Sequence, residues 1–171
     1  MVIEDGVQIR RMEPEEWATV RRVRLAALAD APGAFASTLD SELRLDETTW
    51  RERVAAWPWF LAWRDGEPVG LVAVVTEQPG GASGWHLISM WVSPQVRGSG
   101  VADGLVAAVT AHARAAGVST VTLWVAARND RARGFYERMG FRPTGVRQTY
   151  QRDDAPDLDE EELALDLAGP G

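Results

Sequence analysis

The sequence predicts an α/β fold, a mixed central sheet of about seven strands with helices on both faces. Three observations carry that prediction. Short apolar runs rich in Val, Leu and Trp alternate with segments of helical period. Residues 85–125 read as strand, long helix, strand, the signature of a right-handed parallel crossover. A glycine turn, "QVRGSG", joins that first strand to that helix, at the carboxyl edge where such sheets bind ligands. With 171 residues the chain suits one domain, expected over residues 7–168.

The elements follow in order. Residues 7–12, "VQIRRM", read as a first strand. Pro14 with Glu15 and Glu16 is a helix start, and Val20, Leu25 and Leu28 carry that helix over residues 15–29. "DAPGAFAST", residues 30–38, has turn composition, and a second helix is expected over residues 47–56. Strands at residues 59–63 and 68–75 flank "RDGE", whose Asp-Gly pair signals a hairpin. Trp59, Leu61 and Trp63 share one face of the first of these and should pack together.

After the turn-rich residues 77–84 comes the strand "WHLISMWV", residues 85–92, closed by Ser93-Pro94. The main helix runs over residues 101–116 to Gly117, and His112 on it is expected at the surface. A strand at residues 121–126 and a helix within residues 129–140, stopped by Gly140, follow. Residues 141–152 are extended, residues 153–159 read as an exposed acidic loop, and residues 162–167 alternate as a last strand. The whole acidic run "DDAPDLDEEE" is expected to be a solvated face that attracts cationic amines at most weakly.

Composition removes several function classes. All 18 basic residues are arginine, so neither a Schiff-base lysine nor a G-x-x-x-x-G-K-[ST] phosphate loop is available. No cysteine is present, which excludes disulfides, thiolate metal sites and a cysteine nucleophile and makes a cytoplasmic setting the expectation. No metal is expected. A net charge of −7 argues against nucleic acid, and no run reaches membrane-span length.

Glycines flanking one residue at a helix start imply close approach of something to the backbone. The unpaired amides of that start suit an anion. A dinucleotide fingerprint would need glycine where Asp103 stands, and a nucleophile elbow on Ser99 would need glycines in place of Arg97 and Val101. What remains is Q-x-x-G-x-G, at Gln95, Gly98 and Gly100. With "WHLISMWVSP" before it and "LWVAARNDRARGFYERMGF" after it, the chain resembles the GNAT family of acetyl-CoA-dependent N-acetyltransferases.

That resemblance implies the GNAT fold and acetyl-CoA as cosubstrate. It implies that backbone amides over Gly98, Ser99, Gly100, Val101 and Ala102 cradle the pyrophosphate, while backbone groups of Met90, Trp91 and Val92 meet the pantetheine and the reacting carbonyl. Asn129 is similar to a family asparagine that bonds the pantetheine arm, and locally it is equally good as a helix N-cap. Arg97, Arg131 and Arg133, with Ala132 among them, are candidates to meet coenzyme phosphates, against the alternative of solvated arginines. Tyr136, two helical turns beyond Asn129, is the expected proton donor to the leaving thiolate.

Many family members carry a carboxylate base on the central strand, and here that strand has none. His86 and Ser89 are the polar residues available there, His86 with a suitable titration range; the alternative is loss of the amine proton to solvent. Phe35 is expected either to line the acceptor pocket or to plug the core. The expected reaction is acetylation of a primary amine on a small molecule or peptide by direct attack in a ternary complex. The alternatives are an acyl-CoA sensor of the same fold or a nucleotide-binding protein. Monomer and homodimer stay open.

Overall fold

The structure, a computed structural model, describes residues 6–76, 84–152 and 155–168. Strand β1 (Gln8–Arg11) leads into helices α1 (Trp17–Asp30), α2 (Leu39–Leu43) and α3 (Glu47–Ala56). Strands β2 (Trp59–Arg64), β3 (Glu67–Val75) and β4 (Trp85–Val92) follow, then helix α4 (Val101–Ala115), strand β5 (Thr120–Ala126) and helix α5 (Asp130–Arg138). The last strands are β6 (Arg142–Tyr150) and β7 (Leu158–Asp166). They form one seven-stranded sheet ordered β1-β2-β3-β4-β5-β7-β6, and its one parallel pair is β4 with β5.

Continuous apolar runs in β2 and β3 make sense because both faces of the sheet are covered. Trp59, Leu61, Leu71 and Ala73 pack under α1 and α3 against Val20, Leu28 and Trp50. Their neighbours Phe60, Ala62, Val72 and Val74 point to the other face, against Val101, Leu105 and Val109 of α4. Trp63 is half-buried and joins the α1 side, as its alternation with Trp59 and Leu61 requires. Asp65 and Gly66, with φ of 52° and 82°, close the predicted two-residue hairpin turn. Gly70 is small for a packing reason: a Cβ there would meet the Trp91 carbonyl at 3.1 Å and Val101 Cγ1 at 3.3 Å. The start of α4 is thereby seated directly on the sheet.

Several expectations shift. Pro14–Glu16 is a 3-10 turn, so α1 begins at Trp17; Glu13 and Glu16 close a reciprocal cap at that turn. A helix absent from the sequence reading, α2, is nucleated by Thr38, whose hydroxyl accepts from the Ser41 amide at 3.2 Å. His112 is half-buried, not at the surface, with its ring 5.6 Å from Phe60 and 5.2 Å from Trp85. Burial lowers its pKa.

The largest correction concerns the acidic run. The final strand starts at Leu158, and Glu160 and Glu161 are each 6% exposed. Pairing with β5 on one side and β6 on the other buries them, and alternation sends them to opposite faces. Glu161 meets Arg133, and Glu160 accepts a hydrogen bond from Gln148 Nε2 at 2.9 Å. Asp153 and Asp154 of that run, and residues 77–83 of the expected turn, lie outside the described residues. Among the described residues no helix is long and apolar enough to cross a membrane.

Candidate active site

A cleft opens where the two parallel strands part. They pair at Trp85↔Val121, His86↔Thr122 and Leu87↔Leu123, and the pairing ends there. Beyond it β4 also breaks register with β3: Ala73 pairs Ile88 and Leu71 pairs Trp91, so Ser89 and Met90 together oppose Val72. Ser89 adopts a φ of 59° at this bulge. Bulges bend a strand and free backbone groups from the ladder. Here the bend turns Met90, Trp91 and Val92 toward a cavity of about 590 Å³.

The glycine turn forms the outer end of that cavity. Gly98 and Gly100 have φ of 85° and 81°, left-handed values that favour glycine, and a Cβ on either would meet nothing within 4 Å. The backbone therefore faces open space, as a cradle must. Gly100 caps α4, and its carbonyl accepts from the Gly104 amide at 3.0 Å. Amides of Val101, Ala102 and Asp103 precede the first such bond and have no partner within the helix. An anion is their natural complement.

The structure brings most of the expected residues to this cavity: Gly98, Gly100, Ala102, Asn129, Arg131 and Tyr136 line it, with Ala132. Val101 does not, since its side chain is buried in the core under α4, and Ser99 bonds back to the Val96 carbonyl at 2.7 Å. For these two only the backbone is offered. Arg133 is turned away by its ion pair with Glu161, which corrects its candidacy for a coenzyme phosphate. Arg97 does reach the cavity, but its Nη2 is held by Asp30 and its Nε donates to the Val92 carbonyl at 3.0 Å. Asp30 also accepts from Trp91 Nε1 at 2.9 Å, and this bond first, then Arg97, keeps its carboxyl below the usual range. The Asp30 clasp joins α1 to the end of β4, a link invisible in sequence.

Asn129 is a helix cap, its Oδ1 accepting from the Ala132 amide at 3.1 Å, and it also lines the cleft. Tyr136 is 7% exposed, with Phe135 and Phe141 edge-on at 5.0 and 5.6 Å. Burial pushes its phenol well above the ordinary value, so the hydroxyl keeps its proton. A small gap of about 90 Å³ leads from Tyr136 and Asn129 past Ser89 to Phe35.

On the far side of Phe35 lies a second cavity of about 400 Å³, which contains His86 and Ser89. Phe35 lines all three spaces and is 8% exposed, so it is both a wall of the site and a core residue. His86 Nδ1 lies 2.8 Å from Thr122 Oγ1, and burial lowers the pKa of its ring while Glu162 opposes that shift. Sequence reasoning missed Glu160 here, and also Arg24, Glu42, Arg53 and Trp124. Only the strand order, with β7 between β5 and β6, carries Glu160 to this face.

A splayed parallel pair, a glycine turn at the helix start beside it and a buried tyrosine between them are set in a seven-stranded α/β fold. The chain belongs to the acetyltransferase (GNAT) family, whose model matches residues 24–141. A mycothiol acetyltransferase of Thermobispora bispora is 32% identical over 155 residues, covering 86% of this chain and 50% of its own length. A rat N-acetyltransferase family 8 member 2 is 38% identical over 88 residues, 50% of this chain and 39% of that one. This chain thus spans about half the length of the curated relatives it matches. Among solved structures, a Salmonella typhimurium acetyltransferase with its cofactor acetyl-CoA shares the fold at a TM-score of 0.76, with 16% identity over 98% of this chain and 97% of that one. The ribosomal-protein-S18-alanine N-acetyltransferase of Escherichia coli does so at 0.71 and 19%, over 96% of each chain.

Proposed function

We propose that this domain transfers the acetyl group of acetyl-CoA to a primary amine by direct attack with both substrates bound. The observation that carries the reading is the parting of β4 from β5 after Leu87↔Leu123, below the Gly98–Gly100 turn and beside Tyr136. Acetyl-CoA, when bound, supplies an activated acetyl thioester. The first amides of α4 hold its pyrophosphate, and its arm takes the place of a neighbouring strand against backbone groups of Met90 and Val92. Asn129 keeps its Nδ2 free to donate, because Oδ1 is committed to the Ala132 amide. Tyr136 gives its proton to the departing sulfur.

In the tautomer whose Nδ1 donates to Thr122 Oγ1, His86 presents the Nε2 lone pair as acceptor for the amine proton. The absence of cysteine favours direct attack over an acetyl-enzyme. The test is acetyl-CoA-dependent thiol release across a panel of small-molecule and peptide amines. Release with at least one amine is expected; tight acetyl-CoA binding with no release from any would favour a sensor, and preference for ATP or NAD over coenzyme A would remove the coenzyme assignment.

The pH dependence tests the base. His86 has a lowered pKa, so its neutral form persists below the usual histidine range. The kcat/KM profile should fall as pH drops through that lowered value, and His86→Gln should reduce the plateau and flatten that limb. An identical limb in the variant removes His86 as base. The same shift bears on stability. Because the folded pKa is lower than the unfolded one, the unfolded chain binds more proton between the two, and stability declines as pH falls through that window.

A further inference from the structure

The second cavity is lined by charges of both signs, cationic groups on the helices and acidic groups on the sheet. On the helices Arg24 and Arg53 share a single carboxylate: Glu42 lies 3.0 Å from Arg24 and 3.8 Å from Arg53. Two guanidiniums and one carboxylate leave one net positive charge there. Arg24 is 5% exposed, and each part of its guanidinium but one is engaged. Nε and Nη2 donate to Glu42, and Phe35 covers the flat face at 4.5 Å. Nη1 has no hydrogen-bond partner. A buried donor left unpaired is costly, and because Nη1 is closed off from solvent it is Arg53, with a side chain 30% exposed, that offers donors to the cavity.

The sheet side is acidic. Glu160 accepts from the neutral amide of Gln148, and burial raises its pKa more than Gln148 and the charge of Arg152 lower it. Arg152 is itself committed to backbone, donating to the Pro32 and Phe35 carbonyls at 3.2 and 3.3 Å. Glu162 acts on His86 from the same side of the sheet. Much of the remaining lining is aromatic, with Phe35, Trp57, Trp124 and Tyr150. A cavity of about 400 Å³ suits a small molecule.

Resting on the acetyl-transfer reading, we propose that the acceptor is a small zwitterion: a free α-amino acid with an aromatic or apolar side chain. Its carboxylate seats against Arg53, and its amino group faces Glu160 and His86. Its nitrogen forms the new bond to the acetyl carbon as the carbon–sulfur bond breaks. The ammonium gives one proton to solvent before attack, its second leaves nitrogen for His86 as the amide forms, and the sulfur receives one from Tyr136, which solvent reprotonates as His86 releases its own. A peptide amino terminus lacks the adjacent carboxylate and would leave the charge of Arg53 unmatched.

The test uses the protein saturated with coenzyme A, which cannot transfer, titrated by calorimetry with L-phenylalanine, L-phenylalaninamide, phenethylamine and 3-phenylpropanoate. L-Phenylalanine should bind at least tenfold more tightly than each of the others. Arg53→Gln should erase most of that margin. Arg53 is the site to change because its side chain is 30% exposed, whereas replacing Arg24 would strand the buried Glu42. Equal binding of phenylalanine and its amide or amine, no binding by any of the four, or a margin untouched by Arg53→Gln would overturn the proposal. The two readings fail separately. Thiol release from acetyl-CoA at the same rate with phenethylamine as with phenylalanine sinks the zwitterion and leaves acetyl transfer standing. Tight, carboxylate-dependent binding without thiol release supports the zwitterion and sinks the transfer.

Discussion

Tyr136→Phe should lower kcat by roughly 10² or more, the usual yield of a positioned proton donor, while leaving the affinity for acetyl-CoA nearly unchanged. The expectation rests on what the substitution keeps. The ring lies between Phe135 and Phe141 at 5.0 and 5.6 Å, and phenylalanine preserves those edge contacts and the volume behind them. What disappears is one hydroxyl, held protonated by burial and adjoining the gap that links the coenzyme cleft to the acceptor cavity. Steady-state kinetics beside a calorimetric titration separate the two effects. Unchanged turnover would remove Tyr136 from the mechanism, and a matched loss of affinity would recast it as a binding residue.

Gly100→Val should weaken coenzyme A binding by about 3 kcal/mol or more, the size of two lost hydrogen bonds to a charged group, or about a hundredfold in Kd. The protein does not itself reject the side chain, since a Cβ at Gly100 meets nothing within 4 Å. Two other effects act. At a φ of 81° a β-branched residue is strained by about 1–3 kcal/mol, which the turn relieves by rotating its amides off target. The new isopropyl group also occupies the space the cradle leaves open. Pantetheine lacks the pyrophosphate and should bind both proteins alike, with circular dichroism showing that the fold persists. Equal coenzyme A affinity in variant and wild type would mean that the turn is not the phosphate cradle.

These two residues were legible because their signals are local. Gly98 and Gly100 need positive φ at a helix start, Asn129 caps the next helix, and Tyr136 follows it within two turns, so the half of the site proposed to hold the coenzyme lies in short contiguous motifs. The acceptor half does not. Arg24 and Glu42 stand 18 residues apart on different helices, and nothing at either position announces the other. Glu160 hid inside a charge run whose composition says solvent, because burial there follows from pairing on both sides of β7, a long-range property. Five-residue α2 was missed for another reason: too short to show a helical period, it is marked only by the Thr38 and Ser41 cap. The hairpin at Asp65-Gly66 was read correctly because turn chemistry needs no distant partner.

The three rungs between β4 and β5 also bear on how the domain holds together. A sheet normally derives its cooperativity from ladders that run the length of its strands, and this one is joined across its middle by a short seam. On one side lie β1 to β4, and on the other β5 to β7. A ligand that enters where the strands part acts as mortar between two half-sheets. Because it binds the folded seam and not the unfolded chain, it stabilises the fold through linkage, by about 2.7 kcal/mol at a hundredfold excess over its Kd. The gap proposed to admit the substrate thus adjoins the shortest seam of the sheet, and occupancy and rigidity should rise together.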